Sequence, residues 1–414
     1  AAQVLIKVVC GIIMNKVVAV TLGPSGLALI GQFQNFYSLC VGVASGSVHS
    51  GIVKYTSQYK DDSRQRRYVW MNSIYILLIL TCLLVLLILP FSQYISDFLF
   101  SEEISSKILI IFALSLLFAV INLAIISVIN GLGNHSLFSS LNIYLNIYLM
   151  ILVVFGAYYF AAEGAIYAFI IAQSSILCLT FIIVVKRYGL DFFKIDLNHY
   201  NASLIKKLLQ YGLVSFVSGA SMSIMLLLVR NIIIQEASLE DAGYWEALWK
   251  ISTYVVMFGS LPVSIYYLPK YAAITSVEII RKNFWESVKF IIPILIFLAF
   301  FIYIFKELII EVLFSPEFSV IASVIPLMLI GDIIKVSGYL IVNILYAKSF
   351  IKQLIIIDVV SNLLMFFLAY MSFPAYGLEG LGYSYIMVNI TVFMYMLFFY
   401  RRLSDSLIKE MPFV

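Results

Sequence analysis

Five basic residues stand inside long apolar runs of this chain: Lys7, Lys16, Arg230, Lys250 and Lys335. A cation near the middle of a bilayer costs roughly 2.5–3.5 kcal/mol even on lenient insertion scales. Each one needs a counter-charge, a route to the interface or a wet cavity, and a wet cavity lined by cations is a place for an anion. Lys16 and Arg230 are 214 residues apart, and Lys16-Val17-Val18-Ala19-Val20 parallels Arg230-Asn231-Ile232-Ile233-Ile234. Two readings stand for this pair. Either they face each other across a central cleft and bind an anionic substrate, or both snorkel to the outer interface. Lys7 precedes Lys16 by nine residues, so on a straight helix the two point to opposite sides. Lys7 joins a cationic cleft if Gly11 bends the helix, and otherwise snorkels to the cytoplasm. Lys250 reads as the partner of Glu246 at i,i+4.

Asp332 and Lys335 are three residues apart on one expected helix, with Asp358 on the next. They form either a structural ion pair or an acid–base group that couples movement to a proton or sodium gradient. Apart from such a gradient, the sequence calls for no cofactor, and no metal site is expected. Asn142 stands where Asp358 has its counterpart in the first half. Gln32, Asn35 and Ser38 share one expected helix, Asn142 and Asn146 another, and Ser218 lies in a serine series with Ser215 and Ser221. These side chains are either a polar cleft wall for sugar hydroxyls or hydrogen-bonding glue between helices. The first six expected spans have no acidic residue in their cores, so the first half of any cleft suits an anion better than an organic cation. No GxSxG, P-loop or metal-spaced His/Cys/Asp cluster is present, which excludes the common hydrolase, ATPase and metalloenzyme chemistries. No catalytic residue is assigned, and the chain is not expected to be an enzyme.

The elements that position these residues follow from composition. The 414 residues are 63% apolar and only 12% charged, about half the charged share of a soluble domain. Mean hydropathy is +1.03. Runs of about twenty apolar residues recur along the chain, each long enough to cross the hydrocarbon. Spans are expected near 2–22, 27–50, 68–92, 107–130, 136–160, 164–185, 208–235, 243–268, 286–305, 320–346, 351–373 and 380–400. Loops on one side hold Lys54, Lys60, Arg64, Arg66, Arg67, Lys186, Arg187 and Arg281. Those on the other hold Asp97, Glu163, Glu240, Glu307 and Glu379. Positive loops stay inside, so both termini are expected in the cytoplasm. Basic residues sit at helix ends rather than in one patch, which argues against nucleic-acid binding. The four cysteines read as small core residues, and the first run is too long and too lysine-marked for a cleaved leader.

An internal repeat divides the chain. Leu99-Phe100-Ser101-Glu102-Glu103-Ile104-Ser105 matches Leu313-Phe314-Ser315-Pro316-Glu317-Phe318-Ser319, and Glu163-Gly164 matches Glu379-Gly380. Lys54-Tyr55 matches Lys270-Tyr271, and Lys186-Arg187 matches Arg401-Arg402. The expected fold is an all-α integral membrane protein of about twelve transmembrane helices in two pseudo-symmetric six-helix bundles. The bundles are 1–185 and 208–414, joined by a cytoplasmic linker at 186–207. A parallel repeat of this kind is an architecture for alternating access.

Gly23-Pro24-Ser25-Gly26-Leu27, Gly51-Ile52-Val53-Lys54-Tyr55 and Gly331-Asp332-Ile333-Ile334-Lys335-Val336 resemble Wzx-type flippases, which move O-antigen and enterobacterial common antigen repeat units. That family is in the polysaccharide transporter branch of the multidrug/oligosaccharidyl-lipid/polysaccharide exporter superfamily. The resemblance implies a V-shaped exporter in the bacterial inner membrane. It implies cargo made of an undecaprenyl-diphosphate-linked oligosaccharide, moved from the cytoplasmic to the periplasmic leaflet for lipopolysaccharide biosynthesis. It also implies a pathway polymerase and a chain-length regulator as partners, and a chain that starts several residues later than its relatives do. The rival reading is a multidrug or small-solute antiporter of the same fold, which predicts an acidic cleft.

Overall fold

The computed structural model describes residues 2–101, 103–193, 201–274 and 276–406, and no strand occurs among them. The helices are α1 (Ala2–Ser45), α2 (His49–Gln58), α3 (Ser63–Ile88), α4 (Ser92–Phe100), α5 (Lys107–Gly131), α6 (His135–Tyr188) and α7 (Ala202–Glu236). They continue with α8 (Leu239–Pro262), α9 (Leu268–Ala273), α10 (Val277–Ile304), α11 (Lys306–Leu313), α12 (Ile325–Ala347) and α13 (Ile351–Ser406).

Among the described residues, nine helical stretches are long and apolar enough to cross a membrane. Three of them, in α1, α6 and α13, are 44, 54 and 48 residues long. At about 1.5 Å per residue each exceeds twice the core thickness. Each is broken in the middle, α1 at Gly23, α6 at Phe160–Ala161 and α13 at Gly377. Counting these as pairs gives the expected twelve spans. The outer surface fits lipid, since large apolar side chains such as Leu86 (69%), Phe297 (71%) and Met371 (75%) are exposed. Water would not tolerate so much contiguous apolar surface.

The chain forms two compact units, Ala1–Leu227 and Leu228–Val414. The expected boundary at 186–207 is therefore displaced into α7. Residues 186–188 still belong to α6 and 202–207 already belong to α7, while 194–200 fall outside the described residues. The first part of α7 is held by the first unit. The Asn201 amide donates to Asn72 Oδ1 at 2.9 Å, and a Cβ at Gly212 would lie 2.6 Å from the Gly46 carbonyl oxygen.

The repeat is visible as matching geometry inside each unit. Ala161 (φ 54°, ψ −154°) and Gly377 (φ 55°, ψ −138°) make the same left-handed break at repeat-equivalent positions. In α6 the chain folds back so tightly that a Cβ on Gly156 would lie 2.4 Å from the Gly164 carbonyl oxygen. In α13 Ser372 takes the place of Gly156, and its hydroxyl donates to the Gly380 carbonyl at 2.9 Å. The two arms of each helix are thus packed backbone to backbone. Gly156→Val is expected to lower stability by about 1–3 kcal/mol through overpacking. Thermal unfolding of the purified protein in detergent checks this, and an unchanged midpoint would contradict the hairpin.

The Leu-Phe-Ser repeat is a packing device. Leu99 and Phe100 are buried at the end of α4, and Phe314 and Phe318 are buried and stacked at 5.1 Å after α11. The cysteine expectation holds for only half of the set. Cys10 and Cys40 are buried, but Cys82 and Cys178 are exposed on spans that face outward. A small soft side chain is as acceptable to lipid as to a protein core, so residue type could not separate the two.

Candidate functional site

The embedded charges of the second unit converge on α8. The turn between α7 and α8 is capped by Ser238, whose hydroxyl accepts from the Asp241 amide at 3.0 Å. Glu240 and Asp241 occupy the first turn of α8, where carboxylates suit the helix dipole. Arg230 and Glu246 are 16 residues apart, with Ser238 midway, so the hairpin brings them face to face. Arg230 donates to Glu246 Oε2 and is fully buried. Lys250 Nζ reaches the other oxygen of Glu246 at 3.3 Å.

This arrangement corrects the cationic-cleft assignment of Arg230. Its guanidinium is held by a carboxylate inside the second unit rather than exposed on a wall. The helix-surface pairing of Lys250 with Glu246 is present as expected, but Glu246 as the counter-charge of Arg230 was not foreseen. The midpoint position of the Ser238 cap, an N-terminal helix signal, was the clue available in the sequence.

A second cluster joins α8, α12 and the second arm of α13. Asp332 is fully buried. Its Oδ1 accepts from the Ser252 hydroxyl and, at 2.8 Å, from the Tyr385 hydroxyl. Asp332 Oδ2 is buried with no hydrogen-bond partner among the described residues. The Tyr385 ring can lie this close to α12 because residue 331 is glycine, where a Cβ would sit 2.4 Å from the ring. Lys335 does not pair directly with Asp332. Its Nζ lies 5.4 Å from the ring centres of both Trp249 and Tyr385, a cation–π arrangement. Asp332 and Asp358 both act on it electrostatically. Sequence reading found the three charges but missed Ser252, Trp249 and Tyr385. Hydroxyls and rings on an apolar helix carry no signal until the helices are packed.

In the first unit, Lys7 is exposed and Lys16 is half-buried on the first arm of α1. Gln32 is only 1% exposed. Lys16 and Gln32 have the same 16-residue separation as Arg230 and Glu246, with Pro24 midway. The first unit thus places a neutral amide where the second has a carboxylate. Asn35 is half-buried, Ser38 is exposed, and the Ser38 hydroxyl donates to the Gln34 carbonyl at 2.8 Å. Asn142 and Asn146 donate to carbonyls one turn back, Phe138 at 2.8 Å and Asn142 at 2.6 Å. Ser218 is half-buried, and its carbonyl accepts from Ser221 at 3.0 Å.

The fold is that of known transporters. The chain is similar to a multidrug resistance MATE family transporter of the MOP superfamily in its inward-facing conformation, with TM-score 0.80 and 17% identity, covering 98% of this chain and 96% of that one. It is similar to a MOP superfamily transporter from Pyrococcus furiosus described as having a binding pocket of reverse polarity, with TM-score 0.68, 18% identity and coverage of 99% and 94%. In sequence it is 23% identical over 396 residues to the lipid III flippase of Escherichia coli, across 95% of this chain and 94% of that protein. The lipid III flippase of Shigella flexneri matches to the same extent. A family described as polysaccharide biosynthesis protein matches residues 2–274, and because that is more than half of its length, the chain belongs to this family.

Proposed function

We propose that this multi-pass membrane protein is a flippase, not an enzyme, and that it moves a polyprenyl-diphosphate-linked oligosaccharide from the cytoplasmic to the periplasmic leaflet of the bacterial inner membrane. The observation that carries this reading is the near end-to-end match to lipid III flippases. The charge inventory supports it. The spans of the first unit contain basic residues and no core carboxylate, and Gln32 stands where Glu246 neutralises Arg230. Lys16 is the cation we assign to the diphosphate, with Lys7 at the entry. Arg230 has a structural duty, holding α7 against α8. Gln32, Asn35 and Ser38 supply hydrogen-bonding capacity along the same helix, while Asn142, Asn146 and Ser218 serve chiefly to satisfy their own helices.

We assign energy coupling to Asp332, Lys335 and Asp358. An ionised carboxylate with one buried oxygen unpartnered is costly, and uptake of a proton or sodium ion relieves that cost. A polymerase and a chain-length regulator are the expected partners for the exported unit. Orientation with both termini in the cytoplasm follows from the basic loops.

The test is genetic deletion followed by analysis of lipid-linked glycans. Single repeat units are expected to accumulate on the cytoplasmic side. Restoration by the wild-type gene and not by Asp332→Asn would support the coupling assignment. Unchanged glycans together with altered drug tolerance would favour a small-solute antiporter and overturn the flippase reading.

A further inference from the structure

The first unit contains a two-part cavity in which Trp70 and Phe192 belong to both walls. Its basic part is about 670 Å³ and is lined by Lys60, Arg66, Arg67 and Arg187, with Asp61 as the acidic residue among them. Arg66 spends one nitrogen on the Lys60 carbonyl, while its Nε is buried with no hydrogen-bond partner among the described residues. Its apolar part is a groove of about 710 Å³ between α3, α5 and the second arm of α6, lined by side chains such as Leu78, Phe118, Ile125 and Phe181. Trp70 and Phe192 line both parts. Their rings are 5.1 Å apart, and Phe192 stacks on Tyr188 at 5.2 Å. Trp70 Nε1 donates to the Thr56 hydroxyl at 3.1 Å, which fixes the indole at the junction.

Reading along this cavity gives charge, then aromatic rings, then hydrocarbon. A membrane lipid has the same order from headgroup to tail. Tryptophan and tyrosine settle at the headgroup level of a bilayer, and basic pockets between membrane helices on the cytoplasmic side hold anionic headgroups. We propose that this cavity binds an anionic diacyl phospholipid of the surrounding leaflet. Its phosphate lies among Arg66, Arg67 and Arg187, and an acyl chain lies in the groove beyond Trp70. A free phosphate would use the basic part alone, and a neutral lipid the groove alone. The proposal is independent of what the protein carries.

Quenching of tryptophan fluorescence by phospholipids brominated on their acyl chains tests it. The purified full-length protein is titrated in mixed micelles, and the part lost in Trp70→Phe reports Trp70 alone. Brominated phosphatidylglycerol is expected to quench Trp70 at about a tenfold lower mole fraction than brominated phosphatidylcholine, since each basic side chain contributes several-fold to anionic lipid binding. Arg66→Glu combined with Arg187→Glu is expected to remove that preference. Leu78→Trp combined with Trp70→Phe narrows the groove while keeping the charges, and is expected to weaken retention of phosphatidylglycerol in native mass spectra. Equal quenching by the two lipids in the wild type would overturn the proposal. So would unchanged retention when the groove is narrowed. Displacement of brominated phosphatidylglycerol by an equimolar polyprenyl phosphate would overturn the choice of a diacyl lipid.

Discussion

Glu246→Ala is expected to destabilise the protein by about 3–5 kcal/mol, the cost of leaving a buried charge without its partner. Arg230 is fully buried and Glu246 receives both Arg230 and Lys250, so the alanine leaves two cations facing one another. The decisive comparison is with Arg230→Met/Glu246→Leu, which removes both members of the buried pair. Replacing a buried ion pair by apolar side chains of similar size is often neutral. The double variant should therefore recover most of the lost stability. Thermal unfolding midpoints and the yield of monodisperse protein measure both. A Glu246→Ala protein as stable as the wild type would show that the α7–α8 pair does not hold the helices.

Lys16→Glu is expected to cut glycan export by at least about a hundredfold at normal protein levels. A hydrogen bond to a charged group contributes about 1.5–3 kcal/mol, and reversing the sign replaces attraction by repulsion, so a loss of two decades or more follows. Lys16→Arg keeps the charge and is expected to stay within about threefold. Lipid-linked glycan analysis in a deletion strain carrying each variant provides the readout. Normal export by Lys16→Glu would remove Lys16 from the substrate path. Retained or improved cation efflux with glycans unaffected would point to the antiporter.

Much of the fold was legible because lipid makes the strongest demand on sequence. Apolar runs of the right length, basic loops on alternate sides and matched segments such as Glu163-Gly164 and Glu379-Gly380 are covalent facts. The unit boundary was not, because helix α7 runs without interruption through it and only tertiary contacts decide where one body ends. The candidate site divides in the same way. Intramembrane charges announce themselves, so Lys16, Arg230, Asp332 and Lys335 were found. Distance along the helix finds the pairing of Lys250 with Glu246 at one turn, while Arg230 is given no partner because Glu246 lies across a hairpin from it. Asp332 was matched to Lys335 by the same criterion, whereas its contacts come from Ser252 on α8 and Tyr385 on α13.

The doubled-back helices have a mechanical consequence. Where Gly156 meets Gly164, carbonyl against glycine, there is no clearance for one arm to slide past the other. Ser372 ties the arms of α13 to the same effect through Gly380 and Ser384. Each hairpin must then travel as a single rod. Bending during a working stroke is left to joints outside the hairpins, such as the wide π turn at Val263–Tyr267. Stiffening the backbone there would stall the machine without touching a single cargo-binding group.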